Sequence, residues 1–205
     1  GLPTGFTTHS PDLFAGDFLL NLASTDDAHW ERSIAELQRV VDTTRAMKQY
    51  FGKPADARAS EHGPVIVASL GGFTKDAFVA PAEREAMYAR VAEGLARVDD
   101  AGVRLVAQTL PPYPWYMGGQ LFCNLFVDPR DTAAFAEQYD RQLCFDVSHS
   151  KLAANYLGLT FAETTELIAP HTEHLHLVDA TGVDGEGVQV GDGEIDWPLL
   201  AQQLD

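Results

Sequence analysis

The sequence predicts an α/β fold, a parallel (β/α)8 barrel of which five strands are recognisable. Two observations carry this expectation. Apolar strand-like runs alternate with amphipathic helical runs along most of the chain, as parallel strands joined by helical crossovers do. Each strand-like run also carries one polar residue near its C-terminal end, the end where parallel barrels build their sites. The chain has 205 residues, whereas a closed barrel needs eight strands and typically about 250 residues. The barrel is therefore expected to be incomplete, with a five-stranded open sheet as the alternative.

In chain order, Phe6–His9 is a short strand. Phe18–Ala23 is apolar but lies between a turn and the cap-like Ser24-Thr25-Asp26-Asp27, which leaves its state open. Asp27–Phe51 reads as a helix with Ile34, Leu37, Val40, Val41 and Met47 on one face. Gly52–Gly63 has no period and is assigned to a loop. Pro64–Leu70 is a strand ended by Gly71-Gly72, and Pro81–Asp100 a helix with Pro in its first turn and Gly102 as a stop. Val103–Thr109 is a strand, Pro111–Phe126 a long aromatic loop, Pro129–Tyr139 a helix and Leu143–Ser148 a strand. Lys151–Leu157 and Phe161–Ile168 are helical, and His174–Asp179 is a strand. A Gly-rich loop follows, and Asp196–Leu204 begins a final helix.

Composition narrows the function. One domain over residues 1–205 is the natural organisation at this length. Lys and Arg number 14 against 30 Asp and Glu, a formal charge of −16. This balance, with scattered basic residues, disfavours a nucleic-acid binder, which neutralises phosphates with Lys and Arg. No apolar run approaches the roughly 18 residues of a membrane span. Cys123 and Cys144 read as free, buried thiols. The chain starts Gly-Leu-Pro without a targeting pattern, so it is expected to be a piece of a longer cytoplasmic protein.

Side chains two apart on a strand share a face. In His174-Leu175-His176-Leu177 the leucines face the helices and the histidines face inward; Asp146 and Gln108 face inward by the same rule. His9, Ser69, Gln108, Asp146 and His176 thus mark one rim, with His149 and Asp179 each three residues past a rim position. A lone inward His is more often a hydrogen-bonded core residue than a ligand, and an Asp at a strand end is often a helix cap. Convergence changes that balance, because burying each group unpaired costs a few kcal/mol. The rim is expected to bind a ligand and a divalent metal; imidazole and carboxylate donors suit Mn, Zn, Mg or Co. Trp115, in the loop PPYPWYMGGQ, is a candidate lid residue that stacks on a sugar ring; packing of that loop over the barrel mouth is the plain alternative. Gly191-Asp192-Gly193-Glu194 reads as a phosphate cradle or, more simply, as the turn into the last helix.

At these residues the chain resembles the xylose isomerase-like TIM barrel superfamily, which holds sugar-phosphate isomerases and epimerases and the endonuclease IV family. The matching pieces are THSP (8–11), LNLAS (20–24), CFDVSHSKLAANYLGL (144–159), HLHLVDA (174–180) and VDGEGVQVGDGEID (183–196). They run from the third βα unit nearly to the end of the seventh. PPYPWYMGGQ with HLHLVDATGVDGEG further resembles the subgroup joined to bacterial sialic-acid-type synthases. The resemblance implies metal ligation by Asp146 and His176, with His149 beside metal or substrate. Asp184 and Glu186 fall at further ligand positions, and His9 at a metal- or substrate-contacting His. Gln108 and Asp179 join His9 and Trp115 as expected substrate contacts. Gln108 stands where the family has a metal-binding or catalytic Glu, and Ser69 where the endonucleases have a His. The last ligand Glu belongs to an eighth strand that would follow Asp205.

In such isomerases a metal polarises the sugar carbonyl while paired glutamates move a proton at the adjacent carbon. An amide cannot act as that base, so the proton falls to the Glu of the eighth strand or, within this chain, to Glu186 first, or to Asp184 or His149. The expected function is a metal-dependent isomerase or epimerase of a sugar or sugar phosphate, in nine-carbon sugar or surface-polysaccharide synthesis. The alternative is a barrel that has lost catalysis and binds a sugar or a partner domain. An endonuclease is disfavoured by Ser69, Gln108 and the negative charge. Exposed apolar sheet edges are expected, covered by another copy or a fused synthase domain.

Overall fold

The computed structural model describes residues 5–51, 63–116 and 119–204. Its centre is a five-stranded parallel sheet of β1 (Thr8–His9), β2 (Val65–Ala68), β3 (Arg104–Gln108), β4 (Leu143–Asp146) and β5 (Thr172–His176). Spatial order equals chain order. Helices fill every crossover: α1 (Asp27–Met47), α2 (Pro81–Leu95), α3 (Pro129–Gln138), then α4 (Val147–Leu157) and α5 (Phe161–Ile168) together. α6 (Trp197–Leu204) follows β5. This is the curled half of a parallel α/β barrel, with β1 and β5 as its edges. No helix among the described residues is long and apolar enough to cross a membrane.

Local chemistry sets the helix starts. Asp26 caps α1 by accepting from the Ala28 and His29 amides. Pro81 and Pro129 open α2 and α3, where the missing N–H is not needed. Thr160 and Glu163 form a reciprocal capping box on α5. Gly158, at φ +69°, ends α4 in the left-handed conformation.

The expected alternation of faces is present. Ile66, Ala68, Leu105, Ala107, Leu143 and Phe145 belong to the large core shared with the helices. Val65, Val67, Val106 and Cys144 form a separate inner cluster. A fully buried side chain of this kind contributes about 1.5–3 kcal/mol, so both faces stabilise the curl. β2, β3 and β4 are almost wholly buried, whereas every residue of the edge strand β5 is only half-buried. Arg104 pairs with Glu173 across the inner face. Towards the other end of the strands, the rings of His9 on β1 and His176 on β5 stack with centroids 5.6 Å apart. The curl therefore brings the two edges together over the rim.

Several boundaries differ from the sequence expectation. α1 stops at Met47 and tightens into a 3-10 turn, Lys48–Tyr50. α2 ends at Leu95, five residues before Asp100. β4 ends at Asp146 because its carboxylate caps α4, so Val147 and Ser148 are helical. β5 spans Thr172–His176, and Asp179 belongs instead to an antiparallel hairpin, Asp179–Thr181 with Gly185–Val188, where a Gly-rich loop was expected. The aromatic loop contains the pair Trp115–Tyr116 with Gly119–Gln120, and Phe122–Cys123 pairs with Phe73–Thr74. Phe18–Leu19 pairs with Leu13–Phe14. Of the loop expected at Gly52–Gly63, residues 52–62 lie outside the described residues.

The segment after β2 depends on one close approach. Gly71 has φ +100°, and a Cβ there would lie 2.6 Å from the Asn21 Cα. The Asn21 side chain accepts from the amides of Ala23 and Gly72, both at 3.0 Å, and the Leu22 amide donates to the Leu70 carbonyl. Gly71→Ala adds backbone strain and overpacking together, about 3 kcal/mol. Its urea midpoint should fall accordingly; an unchanged midpoint would contradict this packing.

Candidate functional site

The C-terminal ends of the strands enclose a cavity of about 340 Å³. β1 brings His9 and the turn after it Asp12, the residue following β2 is Ser69, β3 brings Gln108, and the β4–α4 junction brings Asp146 and His149. Glu186 enters from the hairpin, and Pro114, Trp115 and Tyr116 form the opposite wall. A larger cavity, about 810 Å³, opens beside the edge of β5; it lacks the hydrogen-bonded His–carboxylate network of the rim.

Gln108 is the hub. Its Oε1 is 3.0 Å from His9 Nε2, and its Nε2 donates to Asp146 Oδ2 at 2.9 Å. The same amide nitrogen lies 3.2 Å from His176 Nδ1, which is itself 3.2 Å from Asp146 Oδ2. Burial alone would raise the Asp146 pKa. The His176 hydrogen bond, the His149 charge, the His149 amide and the Gln108 amide outweigh it and hold the carboxyl below its ordinary value. Thr109 locks the backbone here: Asp146 N donates to its hydroxyl, which in turn meets the Asp146 carbonyl.

His149 is oriented from both sides. Its Nδ1 donates to the Thr109 carbonyl at 2.9 Å, which points Nε2 at Glu186 Oε1, 3.0 Å away. Burial by itself would lower the imidazole pKa. The Glu186 hydrogen bond, the charges of Asp146 and Glu186 and the Thr109 carbonyl override it, so the pKa stands above the ordinary value. The pair is asymmetric in exposure, with His149 at 13% and Glu186 at 54% of their side-chain areas. Glu186 therefore faces both the cavity and water.

Of the residues singled out in the sequence, His9, Gln108, Asp146, His149 and Glu186 meet in this cavity, and His176 joins them through Gln108 and Asp146. Trp115 stands at the mouth, 70% exposed. Two expectations are corrected. Asp184 lies in the exposed turn of the hairpin, with no hydrogen bond to the cluster among the described residues, because it falls between the paired residues Thr181 and Gly185. Asp179 has no exposure and no free oxygen for a substrate. Its Oδ1 accepts from the Ala180 and Ile195 amides, and its Oδ2 from the Gly191 amide and the Trp197 indole. These bonds also make Gly191–Glu194 a turn clamped on Asp179 before α6.

Burial would raise the Asp179 pKa, but the Trp197 indole and three amides bring it down to about 2. A depressed carboxyl stabilises the fold fully above its unfolded value near 3.8 and loses that contribution as pH falls towards about 2. Asp179→Asn should cost about 3 kcal/mol at neutral pH. The gap from the parent protein, followed by denaturant titration, should shrink between pH 4 and pH 2; a gap independent of pH would contradict the clamp.

The donor set fits a cation only in part. Asp146 Oδ2 and His176 Nδ1 have the spacing of two ligands on one ion, but the Gln108 amide donor stands between them. Among the described residues no three His, Cys, Asp or Glu side chains form a metal-holding group. With its amide turned, Gln108 would present an oxygen as a third, uncharged donor.

The sequence reading passed over Asp12 and the hydroxyl of Tyr116. Tyr116 OH donates to Asp12 Oδ2 at 3.1 Å. Burial and the Asp12 carboxylate push the phenol far up, so it keeps its proton.

A family model of xylose isomerase-like TIM barrels matches residues 2–205. Among solved structures the chain is similar to a D-tagatose 3-epimerase-like protein, with TM-score 0.64 and 15% identity over 98% of this chain and 66% of the other. It is similar to an L-ribulose 3-epimerase with TM-score 0.60 and 16% identity, over 90% and 54% of the two chains. A probable 3-DHS dehydratase of Bacillus anthracis matches with TM-score 0.58 and 12% identity, over 98% and 65%. The chain thus spans about half to two thirds of these proteins, and at such identity the likeness is one of fold. No curated protein matches. These matches support the superfamily expected from the motifs and not the narrower synthase-linked subgroup.

Proposed function

Since the chain belongs to the xylose isomerase-like TIM barrel family, we propose that its rim cavity moves a proton on a sugar, as part of an isomerase or epimerase. The observation that carries this reading is the His149–Glu186 pair, set with Asp146, Gln108 and His9 in one cavity of monosaccharide size. Two unpaired, buried thiols, Cys123 and Cys144, agree with a cytoplasmic setting.

The sugar enters past Trp115, whose exposed ring offers its apolar C–H face a surface. His9 and Gln108 lie at the carbonyl end. Glu186 takes the proton from the carbon beside the carbonyl: the C–H bond breaks, its electron pair passes into an enediolate, and an O–H bond forms on Glu186. Delivery of a proton from water on the opposite face epimerises that carbon, and Glu186 then releases its own proton to solvent; return of the Glu186 proton to the neighbouring carbon isomerises the sugar. His149 holds Glu186 by its imidazole N–H and carries positive charge beside the developing enediolate. A divalent cation would be held by Asp146, His176 and, with its amide turned, the Gln108 oxygen, and would supply polarisation of the carbonyl.

The test is incubation of the protein with a panel of ketoses and aldoses in D2O. Deuterium at the carbon next to the carbonyl supports the reading, and its absence from every sugar contradicts it. A barrel that binds sugar without turnover is the second reading, favoured by the amide of Gln108 at a position where a carboxylate would act.

A further inference from the structure

We propose that Asp12, positioned by Tyr116, selects the ligand of this cavity: it accepts from a hydroxyl or ammonium and excludes phosphorylated and carboxylated sugars. The inference rests on the proposal that the cavity holds a sugar, and names which kind. Three features carry it. Asp12 Oδ1 is buried, and among the described residues it has no hydrogen-bond partner, whereas a buried acceptor ordinarily has one. Its other oxygen is taken by Tyr116, a phenol that keeps its proton, so the carboxylate is fixed with Oδ1 as the free acceptor. The loop is pinned as well, for the Asp12 carbonyl accepts from the Leu20 amide and the Ser10 amide donates to the Val67 carbonyl.

The third feature is charge. Asp12, Asp146 and Glu186 all line the cavity, and among the described residues no Lys or Arg does. Phosphate sites use Arg, Lys or clustered amides. The imidazole of His149 has both ring nitrogens engaged already, by the Thr109 carbonyl and by Glu186. A phosphate or carboxylate would face three carboxylates without a free cation. A hydroxyl or ammonium instead supplies the donor that Asp12 Oδ1 lacks.

The test is titration calorimetry of the full chain with D-fructose, D-glucosamine and D-fructose 6-phosphate, repeated on Asp12→Asn. D-fructose or D-glucosamine should bind at least about tenfold tighter than the phosphate, and the tighter of the two identifies the donor as hydroxyl or ammonium. Asp12→Asn should weaken that ligand about tenfold and reduce the discrimination to threefold or less. Should Asp12→Asn fail to fold, Tyr116→Phe frees the carboxylate and should lose part of the same discrimination. Equal or tighter binding of the phosphate overturns the proposal. So does an unchanged ratio in the folded variant, and so does failure of all three sugars to bind. Selective binding without deuterium incorporation into any sugar defeats the proton-transfer reading alone; deuterium incorporation confined to sugar phosphates defeats this one alone.

Discussion

Gln108→Glu should raise the affinity of the rim for Mn2+ by about 100-fold or more. The Gln108 amide nitrogen donates to Asp146 Oδ2 at 2.9 Å and stands 3.2 Å from His176 Nδ1, so its N–H occupies a carboxylate lone pair that a cation would otherwise use. A carboxylate at the same place cannot donate, and it adds a negative oxygen to one carboxylate and one imidazole. Without metal the variant holds two carboxylates at close range, so it should be less stable than the parent and bind a proton more readily. Added Mn2+ should reverse that loss, because a ion bound only by the folded state stabilises in proportion to the logarithm of its concentration over Kd. Isothermal titration and a thermal scan with and without Mn2+ measure both effects. Equal Mn2+ affinity in parent and variant would show that this rim does not take the ion through Asp146 and His176.

Glu186→Gln should lower the rate of deuterium incorporation into the sugar by about 10²–10⁴, the usual scale for losing a positioned acid–base group. The amide keeps the size of the side chain and a hydrogen bond to His149 but cannot take a proton. His149→Ala should lower the rate as well, with Glu186 still present but no longer held at 3.0 Å. Because His149 acts through Glu186, the double variant should be little slower than Glu186→Gln alone. A Glu186→Gln protein with the parent rate would move the base elsewhere.

The fold was largely legible because five parallel strands, three of them buried, and their helices leave two periods in the sequence, two residues and 3.6 residues. The inward set His9, Gln108, Asp146 and His176 followed from the first of these. What escaped was structure without a period. The hairpins at Leu13–Leu19 and Trp115–Gln120 have strands of only two residues, too short for alternation to register. Asp146 was readable as a strand residue, but its second task, capping α4, hides the boundary between β4 and the helix. Asp179 had the look of a rim residue; its four donors come from positions 180, 191, 195 and 197, which only the folded turn gathers. Asp12 escaped for the same reason, since its partner Tyr116 lies 104 residues away. Its place directly after the THSP motif was the one available signal.

The most direct measurement is an NMR titration of the histidine imidazoles with a sugar that the protein binds. The chain has seven histidines. His9 and His149 line the cavity, and His176 touches both Gln108 and Asp146. His29 is tied to the Leu19 carbonyl and His171 ends the 3-10 turn after α5, both outside the cavity. The resonances of His9, His149 and His176 should move together with one Kd while those of His29 and His171 stay in place. Stationary His9 and His149 signals in the presence of bound sugar would place the sugar elsewhere and contradict the account.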